Sequence, residues 1–194
     1  KFFFIFIFLN KKNMKQGFIQ NDRTWKSENL SSITFLNGDP IIESKSDNDW
    51  FQNGRKGIPT FKKIPSSDGG IDVCLYNYYC FNDERGLIPD GFRISTTDEL
   101  QSLLLNEQGE FINQYKIPTN TGYITKGGQH SLTEFGAYWG CNLDGIYPRY
   151  ILLKNREKDP VTSGSDSKAC GYAVRLISKP IGDDRDFIKK VSLF

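Results

Sequence analysis

GLIPDGFRISTTDEL, residues Gly86–Leu100, is the stretch whose reading decides the fold. A turn rich in glycine and proline leads into a short extended segment, Gly91-Phe92-Arg93-Ile94-Ser95, and then into a helix start. Thr96 brings an N-cap oxygen and Glu99 stands three residues on, the capping-box spacing in which each side chain satisfies a backbone N–H at the helix entrance. Leu100, Leu103 and Leu104 follow at helical spacing and make one apolar stripe. The pattern predicts a helix over Thr97 to Glu107 with that stripe facing a core. The sheet it covers is expected to contain Gly171 to Ser178 (GYAVRLIS). There Tyr172, Val174 and Leu176 alternate with Ala173, Arg175 and Ile177, a strand with two different faces.

Outward from this pair, Ser46 to Asn53 reads as a second helix, capped by Ser46 with Asp49 at its third position and closed by Gly54. Ala137 to Asn142 and Tyr147 to Lys154 are aromatic and β-branched runs around Asp144-Gly145, a hairpin signal. Trp25 to Leu30 and Ile33 to Leu36 are strand-like, with a tight turn at Asn37-Gly38-Asp39-Pro40. Lys56 to Gly70 reads as turn-rich and exposed, and Asn155 to Ala169 as a long polar loop. Composition agrees with a β-rich or α+β domain: 18 glycines, 8 prolines and 14 % aromatic residues in 194, against only three alanines.

The N-terminus stands apart. Phe2, Phe3, Phe4, Ile5, Phe6, Ile7, Phe8 and Leu9 form an unbroken apolar run, far short of the roughly 20 residues a spanning helix needs. It reads either as a docking arm buried on its own domain or on a partner, or as the remnant of a targeting segment. The expected division is an apolar arm and polar linker over 1–23, a folded domain over 24–179 and a tail over 180–194.

A net charge of +2 argues against a protein that coats nucleic acid. A single histidine, His130, cannot build a multi-histidine iron or zinc site. No phosphate-binding, dinucleotide-binding, zinc-protease or serine-hydrolase motif occurs. The four cysteines, Cys74, Cys80, Cys141 and Cys170, contain no CxxC. Two disulfides, Cys74–Cys80 and Cys141–Cys170, are the preferred pairing; four buried free thiols are the alternative.

Several segments, in this order, resemble one family. WKSENL (Trp25 to Leu30), NGDPI (Asn37 to Ile41), LYNYYCFND (Leu75 to Asp83), GLIPDGFRISTTDEL, AYWGCN and GYAVRLI are similar to successive motifs of the Fibrobacter succinogenes major paralogous domain. The likeness runs from about Trp25 to Ser178. Where the family carries GWHVP this chain carries Gly91-Phe92-Arg93-Ile94-Ser95, a change that keeps the strand-to-helix junction. The resemblance implies a C-type-lectin-like α+β fold of two helices and a twisted, mostly antiparallel sheet. It also implies export to the surface of Bacteroidetes and their relatives, at the outer membrane. No cysteine follows the apolar run closely, so a lipid anchor is not expected.

Three functional readings follow. A formylglycine-generating type of enzyme is implied by the fold's relatives but needs a reactive cysteine pair with acid–base support, which the sequence does not offer. Calcium-dependent sugar binding needs clustered carboxylates and amides, and only the paired Asp47/Asp49 and Asp68/Asp72 come near. The favoured reading is a non-enzymatic binding or assembly module needing no cofactor and no metal. It would dock on a larger surface protein through the arm and the 140–169 region, with a glycan or a phage-type receptor role as alternatives. Its candidate surface is Asn142, Asp144, Tyr147, Arg149, Tyr150, Arg156 and Asp166, rich in the Tyr and Arg that dominate contact energies.

Overall fold

Two capping boxes place the two longer helices. Ser46 accepts from the Asp49 amide while Asp49 accepts from Ser46, and Thr96 and Glu99 repeat the exchange. The computed structural model describes residues 17–20, 22–65, 72–105, 117–131, 135–154 and 160–180. Phe2–Leu9 of the arm, Arg156 and residues 181–194 of the tail lie outside the described residues.

Numbered in chain order, the strands among the described residues form three sheets. One joins β1 (Gly17–Gln20), β2 (Arg23–Asn29), β13 (Arg175–Ser178) and β6 (Phe92–Ile94), antiparallel throughout. A second joins β3 (Ile42–Glu43), β4 (Thr60–Ile64), β5 (Val73–Asn77), β12 (Gly171–Tyr172), β7 (Tyr123–Ile124) and β8 (His130–Ser131), with β3–β4 parallel and the rest antiparallel. The third is β11 (Val161–Ser165), β10 (Tyr147–Lys154) and β9 (Phe135–Asp144). Helices α1 (Asp47–Arg55), α2 (Tyr79–Asn82) and α3 (Thr97–Leu104) complete an α+β fold.

GYAVRLIS, expected to be one strand, is two. It leaves the six-stranded sheet after Tyr172 and enters the four-stranded one at Arg175. At the break Ala173 takes up β9 instead: its amide donates to the Ala137 carbonyl and its carbonyl accepts from the Trp139 amide, both at 3.0 Å. The three sheets therefore meet on this segment. Its alternation separates two cores. Tyr172, Val174 and Leu176 enter a cluster with Trp139, Tyr76 and Phe81. Ala173 and Ile177 enter a second with Trp25, Trp50 and the Leu100, Leu103 and Leu104 stripe. Arg175, on the second face, is buried as well and donates to the Lys26 carbonyl at 3.1 Å. Burial pulls its guanidinium below the usual arginine range, with Tyr138 opposing.

Glycine matters most where this segment meets α1. A Cβ on Gly171 would lie 2.6 Å from Trp50 Cζ2, so only glycine admits the buried indole. Trp50 Nε1 donates to the Ala169 carbonyl at 2.8 Å.

The structure changes several readings. α1 runs through Gly54 to Arg55, and the helix closes at Lys56. α3 ends at Leu104, with Leu105 extended; residues 106 and 107 lie outside the described residues. Gly17–Gln20, read as linker, pairs with β2 and stacks Phe18 on Trp25 at 6.3 Å. Within the stretch read as exposed, Thr60 and Phe61 are buried in β4. Thr60 is claimed there by its own contacts, Oγ1 donating to the Ile42 carbonyl at 2.7 Å and the amide to Asn77 Oδ1 at 3.1 Å. The region read as a polar loop contributes β11.

The expected disulfide pairing, Cys74–Cys80 with Cys141–Cys170, is not formed: all four are free thiols. Each thiol has a different neighbour. Cys80 Sγ donates to the Thr60 carbonyl at 3.3 Å, while Cys74 sits by Tyr76, Cys141 by Arg93 and Cys170 by Asp166. Burial pushes all four up, Cys170 to about 12, which starves them of reactive thiolate. A disulfide reagent is expected to react slowly with the native chain and to count four thiols after unfolding without reductant. A count of none would fit two disulfides, and a count of two a single one; either would overturn the free-thiol state.

Candidate functional site

The site grows from the β9–β10 hairpin. Its two-residue loop, Gly145-Ile146, pairs Asp144 with Tyr147, and Gly145 at φ +61° supplies the left-handed first position that such turns require. The expected Asp144-Gly145 signal thus marks the hairpin, one residue before the loop itself. Pro148 has no N–H to give to the ladder, and the register shifts between Pro148 and Tyr150. The Pro148 carbonyl accepts from the Asp166 amide at 3.0 Å. That contact brings the loop after β11 under the hairpin.

The loop is clamped at successive residues. The Lys168 carbonyl accepts from the Tyr78 amide at 2.8 Å, the Cys170 amide donates to the Ser167 carbonyl at 2.9 Å, and Ala169 holds the Trp50 indole. Beside it three tyrosines stack. Tyr172 lies between Tyr123 (5.5 Å, 8°) and Tyr150 (5.0 Å, 11°), with Trp139 edge-on at 4.3 Å. Gly164 faces Tyr150 across the β10–β11 ladder. A Cβ there would meet the phenol oxygen at 2.8 Å, so glycine leaves room for the outer ring of the stack.

Between this stack and the hairpin lies an open groove of about 550 Å³. It is lined by Tyr123, Thr125 and Lys126, by Tyr147 of the hairpin, and by Ser165, Asp166, Ser167 and Cys170 of the end of β11 and the loop after it. Asp166 ties this loop to the stack: Oδ2 accepts from the Tyr172 hydroxyl at 2.8 Å and Oδ1 from the Ser167 amide at 2.7 Å. Burial pushes the Tyr172 hydroxyl well above its ordinary value, and the Asp166 charge adds to it. The same two causes raise Tyr150 and Cys170. The phenols and the thiol therefore stay protonated at neutral pH and act as hydrogen-bond donors, not as bases or nucleophiles.

Of the candidate surface residues, Tyr147, Tyr150 and Asp166 come together here. Asp144 stands next to them, accepting from the Ser165 hydroxyl at 3.2 Å. Asn142 serves elsewhere, its Oδ1 accepting from the Thr97 amide at 3.2 Å at the start of α3. Arg149 reaches across the ladder to Ser163 at 3.2 Å. Arg156 lies outside the described residues. Sequence reading missed Tyr123, Thr125, Lys126 and Tyr172 as site residues. Tyr172 carried a signal in its alternating strand, whereas Tyr123 sits in a stretch with no marked periodicity. His130 is half-buried on β8, and burial lowers its pKa. Among the described residues no three His, Cys, Asp or Glu side chains are placed to hold a metal ion, and no helix is long and apolar enough to cross a membrane.

The family model described as the Fibrobacter succinogenes major domain matches residues 20–140, well over half of the chain. The chain belongs to this family. No curated protein and no solved structure matches it. The matched stretch of the Fibrobacter succinogenes major domain includes Tyr123, Thr125 and Lys126 and stops within β9. The hairpin tip, Tyr147 and the Asp166 loop follow it, so three of the eight residues lining the groove come from the matched stretch and five from what comes after.

Proposed function

We propose that this chain is a non-catalytic binding module of the cell surface, with a C-type-lectin-like fold, and that it takes its ligand in the groove beneath the β9–β10 hairpin. The observation that carries the reading is the tyrosine stack locked to Asp166 beside an open cleft. Rigid aromatic groups and fixed hydrogen-bonding groups are what a recognition surface needs. No base stands ready there: the Tyr172 hydroxyl behind Asp166 and the Cys170 thiol are held protonated, and Asp166 already accepts two hydrogen bonds. Two capped helices and mostly antiparallel sheets are consistent with the lectin-like architecture. Free cysteines suit an exported protein when they are poor in thiolate; Cys74, Cys80 and Cys170 are buried and Cys141 partly so, and burial raises all four.

The hairpin tip adds contact area. Ile146 is 65 % exposed, and Tyr147, which lines the groove, 52 % exposed. The test is binding of the purified chain to isolated bacterial envelope material, measured by biolayer interferometry. Tyr147→Ala and Lys126→Glu are expected to weaken it at least tenfold, while Phe51→Ala, on α1 outside the groove lining, leaves it unchanged. Equal binding by all three variants would refute the groove as the ligand site.

A further inference from the structure

We propose that the groove's ligand is a neutral saccharide, one sugar ring lying on Tyr147 with its hydroxyls on the groove's polar lining; this rests on the reading of the groove as the ligand site. Charge is the first argument. The lining carries one cation, Lys126, and one anion, Asp166, so it offers no net charge to an anionic or cationic ligand. A phosphate would meet the Asp166 carboxylate, and a carboxylate ligand would meet it too. Polarity is the second. A purely apolar ligand calls for a closed and mainly apolar pocket, whereas this cleft is open and edged by Thr125, Ser165 and Ser167 hydroxyls. Thr125 and Ser165 spend their protons on Gln129 Oε1 and Asp144 and keep acceptor lone pairs, while the Ser167 hydroxyl, which accepts from the Ala169 amide, keeps a proton to donate. Acceptors and a donor together match a ring of hydroxyls.

Shape is the third argument. A pyranose presents a flat C–H face and a polar edge, and Tyr147 offers a half-exposed aromatic side chain in the same lining as those hydroxyls. The loop after β11 is already fixed by the contacts of Asp166, Lys168, Ala169 and Cys170, so little ordering cost attends binding.

The experiment is a titration of the isotope-labelled full chain with cellotetraose, xylotetraose, mannotetraose and chitotetraose in turn, with AMP and tetra-alanine as comparisons, followed by amide NMR. At least one tetrasaccharide is expected to give saturable shifts at Tyr123–Lys126, Tyr147 and Ser165–Cys170. Tyr147→Ala should weaken that binding at least tenfold, and Tyr147→Trp should restore it. Affinity should hold constant from about 0.05 to 0.5 M salt, because a neutral ligand feels no screening. A steep salt dependence, or shifts with AMP or tetra-alanine and none with the sugars, overturns the saccharide assignment. If no sugar shifts the groove while Tyr147→Ala still abolishes envelope binding, the saccharide inference falls and the groove reading stands. If neither effect is seen, both fall.

Discussion

Trp139→Ala is expected to cost about 5 kcal/mol, at the upper end of what removing a large aromatic from a core costs. The indole is fully buried on β9. It contacts Tyr172 edge-on at 4.3 Å and Tyr78 at 5.3 Å, and its Nε1–H donates to the Tyr76 carbonyl at 2.8 Å. The truncation therefore opens a cavity, removes two aromatic contacts and strands a buried carbonyl. These losses overlap, so they do not simply add. Against a total stability of roughly 5–15 kcal/mol, this single change takes a large share. The unfolding midpoint should fall by about 10–20 °C, read by circular dichroism. Trp139→Phe keeps a ring and loses the hydrogen bond, and should cost about 1–2 kcal/mol. An alanine variant that loses less than about 2 kcal/mol would show that the sheets do not depend on this contact. The groove should respond as well, since Trp139 is the wall against which the middle ring of the tyrosine stack rests.

Local chemistry was legible in the sequence, and long-range pairing was not. Both capping boxes involve groups three residues apart, so Ser46/Asp49 and Thr96/Glu99 appear in the sequence as they appear in space. The α3 leucines and the alternation of Tyr172–Ile177 are periodic, and each marks a buried face. Gly54 misled because its lack of a Cβ serves packing: a Cβ there would lie 2.9 Å from Ala169 Cβ, while the left-handed glycine is Gly57. β4, β7, β8 and β11 are two to five residues long, too short to show a period, and partners far along the chain specify them. The break at Ala173 is invisible for the same reason, because it is set by β9, more than thirty residues upstream. Residue type flagged Tyr147, Tyr150 and Asp166. Their common groove required knowing that Tyr123 and Tyr172 stack although they lie far apart in sequence. The family resemblance, carried by motif order, is borne out by the family match over residues 20–140.

Glu99→Ala is expected to be the second most damaging change, at about 3 kcal/mol. Glu99 does two jobs at the β6–α3 junction. Its carboxylate accepts from the Thr96 amide at 2.8 Å, completing the capping box. It also takes the Arg93 guanidinium in a fork, Nη1 at 2.7 Å and Nη2 at 2.5 Å. Arg93 is the more deeply buried partner, its side chain 10 % exposed against 29 % for Glu99. Truncating Glu99 removes a cap contribution of about 1 kcal/mol and leaves a nearly buried cation without its carboxylate, which is the costly part. Burial pushes the Glu99 carboxyl up, but Arg93 and the Thr96 amide outweigh it and hold the group below its ordinary value. A depressed folded pKa stabilises at pH values above the unfolded one, and that stability is lost as pH falls through the folded one. Wild type should therefore exceed Glu99→Gln in urea stability at neutral pH, and the gap should close on acidification below the ordinary glutamate range. In a double-mutant cycle, Arg93→Met should cost less once Glu99 is already Gln, because the ion pair with Glu99 is then already lost. Additive costs, or a gap that widens in acid, would mean that the pair does not hold the junction.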